Sequence, residues 1–166
     1  MYDSFILGHN YTIGEIKNRT DEKLPTFGIE KIFICNNSDT IFLFSDLIEN
    51  KEFPYGIHKY IDSIKNKNFT FTDYRFEQHV DIYKIDELKK GKKEILLFIQ
   101  NGKDSSVNFI YFGRLKYIKH QKKTKLPMSF LFNLVDYDNF VHLRSIRRIM
   151  TSMNITQEIL NKKLNQ

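Results

Sequence analysis

The feature that most constrains the fold is a pair of neighbouring hydrophobic segments in the second half of the chain. Glu94–Gln100 predicts one strand, and after a polar turn Val107–Lys119 predicts a longer one. In the longer strand, large apolar side chains occupy both alternating sets of positions, so both faces carry bulky groups. A curved sheet or the wall of a partial barrel fits this pattern better than a flat sheet with one solvent-exposed face.

Helices and further strands are predicted on either side of this pair. Thr12 and Glu15 have the spacing of a capping box, which begins a helix, and Gly91 follows a lysine-rich segment, which ends one. The predicted elements are a helix at Tyr11–Arg19, a hairpin of Lys31–Asn36 and Thr40–Ser45, a strand near His58 and Tyr60, a strand at Phe69–Phe76, a helix at Asp81–Lys90 and a strand at Met128–Asp136. The order predicts an α+β fold, a curved mixed β-sheet or partial barrel with flanking helices.

The C-terminal part of the sequence has a helical pattern. Asn139–Met150 places its apolar residues on one stripe and three arginines off it, and Asn154 can cap a final helix to Leu164. We therefore expect two parts, a body at residues 1–136 and a C-terminal helical extension at residues 137–166.

Composition limits the classes to which the chain can belong. With 166 residues and 41% hydrophobic side chains, a single packed domain is expected. The lone Cys35 excludes an internal disulfide, and its apolar neighbours predict a buried, reduced thiol and a cytoplasmic location. No run of about 20 apolar residues and no secretion signal occurs, so no membrane partner is expected.

Charge is unevenly distributed along the sequence. Residues 1–62 contain six basic and ten acidic side chains, whereas residues 63–166 contain 20 basic and ten acidic ones. From Arg114 to Lys125 there are six basic residues and no acidic one. Such clustering indicates a polyanionic partner, although a nucleotide composition rich in A and T would also enrich lysine.

Residues suited to catalysis do not cluster in the sequence. The five histidines show no metal-binding spacing, and the glycines do not assemble into a phosphate-binding loop. Three Glu-x-Lys triplets have the form used by metal-dependent nucleases, but two lie in predicted helices and one in a loop. We therefore predict no catalytic residues, no metal and no cofactor, and a nuclease stays as the weakest alternative.

Aromatic and basic residues alternate at two places, an arrangement in which rings can stack on bases while cations hold phosphates. Packing of the same rings in a β core is the competing interpretation. The residues predicted to contact DNA are Phe71, Tyr74, Arg75, Arg114, Lys116, Lys119, Lys122, Lys123 and Lys125.

The order of several segments resembles a known family. A Tyr-Thr pair opens the first helix, and the strands Ile41–Phe44, Phe69–Thr72, Ile95–Phe98 and Asn108–Gly113 follow. This order resembles the domain of unknown function at the C-terminus of bacterial restriction-associated helicases, and the SRA-like domains fused to HNH nucleases of modification-dependent restriction systems. Phe71 falls where the helicase-attached domain usually has Trp. The resemblance covers about residues 11 to 136.

The resemblance implies an SRA-like or PUA-like fold that binds DNA without catalysis, with a modified base as one form of the ligand. A nuclease or helicase, as a partner or a fused domain, would supply the chemistry. We therefore expect a DNA-recognition domain of a restriction or defence system. The alternative from another class is a protein interaction module, in which the helix at Asn139–Met150 docks an acidic partner through its basic residues and its apolar stripe.

Overall fold

The computed structural model describes residues 4–20, 31–45, 62–73, 82–101, 108–121 and 128–151. Within these ranges, eight strands form one sheet, accompanied by helices. In chain order the elements are β1 Asn10–Thr12, α1 Ile13–Thr20, β2 Ile32–Ile34, β3 Thr40–Ser45, β4 Ser63–Lys65, β5 Asn68–Asp73, α2 Ile82–Lys90, β6 Glu94–Asn101, β7 Asn108–Gln121, β8 Met128–Leu134, α3 Tyr137–Phe140 and α4 at residues 144–151.

The sheet is mixed, and its strand order is β2-β3-β6-β7-β8-β5-β4, with β1 paired to the first part of β7. β3 and β6 are parallel, whereas the other paired strands are antiparallel. The predicted hairpin is confirmed as β2 and β3, and the predicted α+β class with a curved mixed sheet is confirmed as well.

A buried carboxylate shows how strongly the sheet curves. Ser45 Oγ on β3 donates to Asp62 Oδ2 at 2.6 Å, and the Thr72 backbone N–H on β5 donates to Asp62 Oδ1 at 2.7 Å. β3 and β5 are separated by four steps in the strand order, which would place them about 19 Å apart in a flat sheet. Because one side chain reaches both, the sheet must curl, yet no ladder joins β2 to β4 among the described residues and the sheet stays unclosed.

Two apolar clusters lie on the two faces of this sheet. The inner cluster contains buried residues from both ends of the strand order, such as Ile32 of β2 and Ile64 of β4, so the curve encloses it. The outer cluster, around Phe42, Phe98 and Tyr111, is covered by Phe5, Tyr11 and Ile16 from the first part of the chain. Both faces of β7 are therefore packed near its start, as the sequence predicts. Cys35 is buried in the outer cluster, as expected.

Local signals set the ends of two helices. Thr12 N–H donates to Glu15 Oε2 at 2.7 Å and Glu15 N–H donates to Thr12 Oγ1 at 3.1 Å, which confirms the predicted capping box. α2 ends at Lys90 before Gly91, whose φ of +63° suits glycine. The prediction that a helix begins at Tyr11 is wrong by two residues, because Asn10–Thr12 pairs with β7 as a strand.

α3 and α4 pack into the inner cluster and differ from the single helix that the sequence predicts at Asn139–Met150. α3 ends at Phe140, and α4 begins at residue 144. The prediction that the apolar residues of Asn139–Met150 share one stripe is wrong for Phe140 and Ile149, because in one continuous helix they would point to opposite sides, each residue turning the helix by about 100°. The break lets both side chains enter the inner cluster with Ile146. Residues 154–164, predicted as a final helix, and the predicted strand near His58 and Tyr60 lie outside the described residues.

The described helices are too short or too polar to cross a lipid bilayer.

Candidate nucleic-acid interface

The second half of β7 presents basic side chains outward. Two register shifts change its pairing, one opposite Leu97 and Phe98 of β6 and one between Tyr117 and Lys119 against β8. An extra residue at each bulge resets the alternation of the strand. Leu115 consequently packs into the inner cluster, whereas Lys116 and Lys119 are exposed on the opposite face.

The neighbouring strands continue this face in register. Lys116 is paired with Asn133 of β8, Asn133 with Asn68 of β5, and Asn68 with Lys65 of β4. Their neighbours along each strand, such as Phe69, Phe132 and Ile64, point into the inner cluster. A row of lysine, asparagine, asparagine and lysine therefore crosses four strands on the convex side of the sheet.

We call the outward residues of these four strands the polar face. It consists of Ser63, Lys65, Asn68, Thr70, Lys116, Lys119, Ser129, Leu131 and Asn133. These residues are exposed or half-buried, and the set contains three lysines and no carboxylate. Its potential is therefore positive in the described part of the chain.

Arg114 is placed at the border of this face by an ion pair. Its backbone N–H and its Nε donate to Asp136 Oδ2 at 2.8 and 3.1 Å, and its Nη2 donates to Asp136 Oδ1 at 2.7 Å. The Arg114 side chain is 49% exposed and that of Asp136 is 9% exposed. The hydrogen bond and charge of Asp136 raise the pKa of Arg114, and Glu94 adds to this effect. The guanidinium is thus held in one orientation with its outer edge in solvent.

Burial and the ion pair shift the pKa of Asp136 in opposite directions. Burial alone would raise the pKa of this carboxyl group, but the side-chain and backbone hydrogen bonds from Arg114, together with its charge, hold the pKa below its ordinary value of 3.8. Asp136 is therefore ionised throughout the neutral pH range.

Phe71 is fully buried, and this bears on its predicted role in base stacking. Its ring packs against Phe130, with centroids 6.2 Å apart, and the Lys31 ammonium lies 5.5 Å from its centroid. A base needs an open ring face on which to stack. Phe71 has no such face in this structure, and its place in the inner cluster matches the competing interpretation that these rings form a core.

Tyr74, Arg75, Lys122, Lys123 and Lys125 lie outside the described residues. Their predicted contacts with DNA stay predictions. Of the predicted site residues, the structure brings Lys116 and Lys119 together on the polar face and places Arg114 at its border.

A tyrosine and a histidine interact on the inner side of β7. Tyr117 Oη and His120 Nδ1 are 2.5 Å apart, and the His120 ring packs against Phe130. Burial lowers the pKa of His120, as does the positive charge of Lys89, so the imidazole is neutral at pH 7. Burial raises the pKa of Tyr117. Both rings close the end of the inner cluster.

Within the described ranges, no three His, Cys, Asp or Glu side chains converge as a metal site would require. The residues that sequence reasoning missed are Lys65, Asn68 and Asn133. Strand alternation shows that Asn68 and Asn133 point away from their aromatic neighbours, but only the strand order places them beside Lys116.

Comparisons with known proteins give a partial similarity to a solved structure. No protein-family model matches the sequence, and no curated protein matches it. Among solved structures, the 5-hydroxymethylcytosine-specific restriction enzyme AbaSI is similar to this chain, with 17% sequence identity and a TM-score of 0.47. The similarity covers 77% of this chain and 38% of that enzyme, so the chain spans less than two thirds of its length.

Proposed function

We propose that this chain binds DNA without cleaving it, as the recognition part of a restriction or defence system in the cytoplasm. The observation that carries DNA binding is the row of Lys116, Asn133, Asn68 and Lys65 across the convex face of the sheet. The restriction role, the reading of a modified base, and a nuclease or helicase as partner or fused domain are supported by the sequence resemblance.

The dimensions of the row suit the major groove. Lys65 and Lys116 are separated by three strand steps, a path of about 14 Å along the curved sheet, and the major groove of B-form DNA is about 12 Å wide. Lysines at the two ends can therefore contact phosphates on opposite sides of the groove. Asn68 and Asn133 lie between them, and an asparagine amide can both donate to and accept from the edge of adenine.

Further cations would extend the contact. Lys119 lies on the same face, one β-bulge beyond Lys116, and the chain continues into Lys122, Lys123 and Lys125. In this proposal these lysines hold phosphates, while Tyr74 and Arg75 approach a base or the groove.

The first test is fluorescence anisotropy with a labelled duplex that carries cytosine, methylcytosine or hydroxymethylcytosine. We expect binding that weakens steeply between about 50 and about 200 mM salt, because each phosphate contact releases about 0.9 counterion. Tighter binding of a modified duplex would support base reading, and equal affinities would limit the function to DNA binding. Mg²⁺ added at the end should leave the DNA intact, and cleavage would contradict the non-catalytic role.

The second test replaces lysines of the polar face. Lys65→Gln with Lys116→Gln should lower affinity and reduce the slope of log affinity against log salt by about 2, since two phosphate contacts are lost. The matched control, Lys17→Gln with Lys92→Gln, removes two exposed lysines elsewhere. An equal loss in the control would show that overall charge, not the polar face, is responsible.

A third variant addresses Lys122, Lys123 and Lys125. Lys122→Glu, Lys123→Glu and Lys125→Glu together should abolish binding and leave the fold intact, as judged by circular dichroism. Retained affinity would overturn their assignment as phosphate contacts.

A further inference from the structure

A second basic surface lies on α4. Arg144, Arg147, Arg148 and Thr151 are spaced by three and four residues, so they share one side of the helix. Together with His142 they line an open depression of about 390 Å³. All five residues are exposed.

The opposite side of α4 fixes where these arginines point. Ile146 and Ile149 are buried in the inner cluster, and Ser145 Oγ donates to the Gly8 carbonyl oxygen at 2.8 Å. The arginines therefore extend from a helix that is anchored along its length. The polar face lies on the other side of the sheet, since its strands direct alternate residues into the same inner cluster. The two basic surfaces are separate.

Two of these arginines have their charges uncompensated. Within the part of the chain that the structure describes, the side chains of Arg144 and Arg147 form no hydrogen bond and no ion pair. Like charges at this helical spacing destabilise a helix. An anion bound between them would remove that repulsion, and a guanidinium offers paired N–H donors that match the oxygens of a phosphate group.

We propose that Arg144, Arg147 and their neighbours form a second phosphate-binding site, for the phosphate groups of a nucleic-acid backbone or of a free polyphosphate. The Thr151 hydroxyl group lies at the rim as a further donor. The site does not depend on the polar face, and the two proposals can fail separately.

The test uses the full chain and two probes, inorganic tripolyphosphate in calorimetry and a labelled duplex in anisotropy. Arg144→Gln with Arg147→Gln should weaken binding of at least one probe by tenfold or more, with the thermal unfolding midpoint unchanged. Arg144→Lys with Arg147→Lys keeps both charges but loses the paired donors, so its affinity should lie between those of the wild type and the glutamine variant. Lys17→Gln with Lys92→Gln, which removes two exposed lysines elsewhere, is the control.

The pattern of losses identifies the source of the phosphate. Loss for the duplex alone assigns the site to nucleic acid, and loss for tripolyphosphate alone assigns it to a free polyphosphate. Wild-type binding of both probes by the glutamine variant would overturn the site. If the lysine variant binds as tightly as the wild type, paired recognition of phosphate is overturned. If a tetraglutamate peptide competes as well as tripolyphosphate, phosphate recognition is overturned too, because that result would indicate an acidic protein partner.

Discussion

Arg114 and Asp136 are joined by three hydrogen bonds of 2.7 to 3.1 Å, one of them from the Arg114 backbone N–H. This pair fixes the turn after β8 to the bend of β7. It also sets the orientation of the Arg114 side chain, a predicted DNA contact at the border of the polar face. The pair therefore connects the stability of the sheet with the shape of the candidate interface.

The energy of this pair can be measured with a double-mutant cycle. Asp136→Asn should lower the free energy of unfolding by about 2 kcal/mol, since hydrogen bonds to a buried charge are lost. Arg114→Gln should cost less, because the backbone N–H bond remains. The double variant should lose less than the sum, with a coupling energy of about 1 kcal/mol, measured by urea unfolding. Additive losses would show that the two side chains are not coupled.

The same pair predicts a dependence of stability on pH. The pKa of Asp136 is lower in the folded state than its ordinary value of 3.8, so its contribution is complete above that value. The contribution is lost as the pH falls through the lower, folded-state pKa. Urea unfolding of the wild type and Asp136→Asn between about pH 7 and about pH 3 should therefore give a stability difference that shrinks at the acidic end. A constant difference would contradict this origin.

The position of Gly113 leaves no room for a side chain. Its φ is +90°, and an added Cβ would lie 2.7 Å from Asp136 Oδ2 and 2.9 Å from Leu7 Cδ2. Gly113→Ala should therefore destabilise the fold by more than about 1 kcal/mol, measured by thermal unfolding. Gly14→Ala is the control, because a Cβ there meets only Thr12 Oγ1 at 3.8 Å within a helix. It should stabilise the protein by up to about 1 kcal/mol, and equal effects at both positions would contradict the steric argument.

A substitution of Phe71 can distinguish a role in packing from a role in DNA recognition. Because the ring is fully buried, Phe71→Leu should lower the free energy of unfolding by about 1 kcal/mol and change DNA affinity less than twofold. Anisotropy and urea unfolding on the same sample give both values. A large loss of affinity without a loss of stability would show that the ring leaves the core to contact a base.

Short-range signals predicted much of this fold. The capping box at Thr12 and the glycine after α2 act within a few residues, so the sequence reveals them. The two neighbouring hydrophobic segments likewise revealed β6 and β7. The partners of Asp62 and Asp136 depend on how the sheet is assembled, which local patterns do not show. Ser45 reaches Asp62 only because the sheet curls, and Arg114 reaches Asp136 because β7 and β8 are neighbours in the sheet.

The residues of the candidate site likewise fall into those that local sequence patterns reveal and those that only the strand order brings together. Lys116 and Lys119 stand out in the sequence as part of a basic cluster, and the structure places both on the outer face of β7. Lys65 lies in a short strand that the sequence pattern does not show, and β8 and β5 separate it from β7 in the sheet. Strand order is a long-range property, so the row across the polar face could not be read from local patterns.

The packing of α3 should be required for the stability of the sheet. Phe140 is fully buried in the inner cluster, where its ring packs edge-on against Phe112 of β7 with centroids 5.6 Å apart. Phe140→Ala should lower the free energy of unfolding by about 3 kcal/mol through lost apolar burial and the cavity that remains. Val135→Ala, at a side chain that is 46% exposed, should change it by less than about 0.5 kcal/mol. Urea unfolding tests whether α3 unfolds together with the sheet. If α3 could detach by itself, the main transition of the Phe140 variant would stay at the wild-type midpoint.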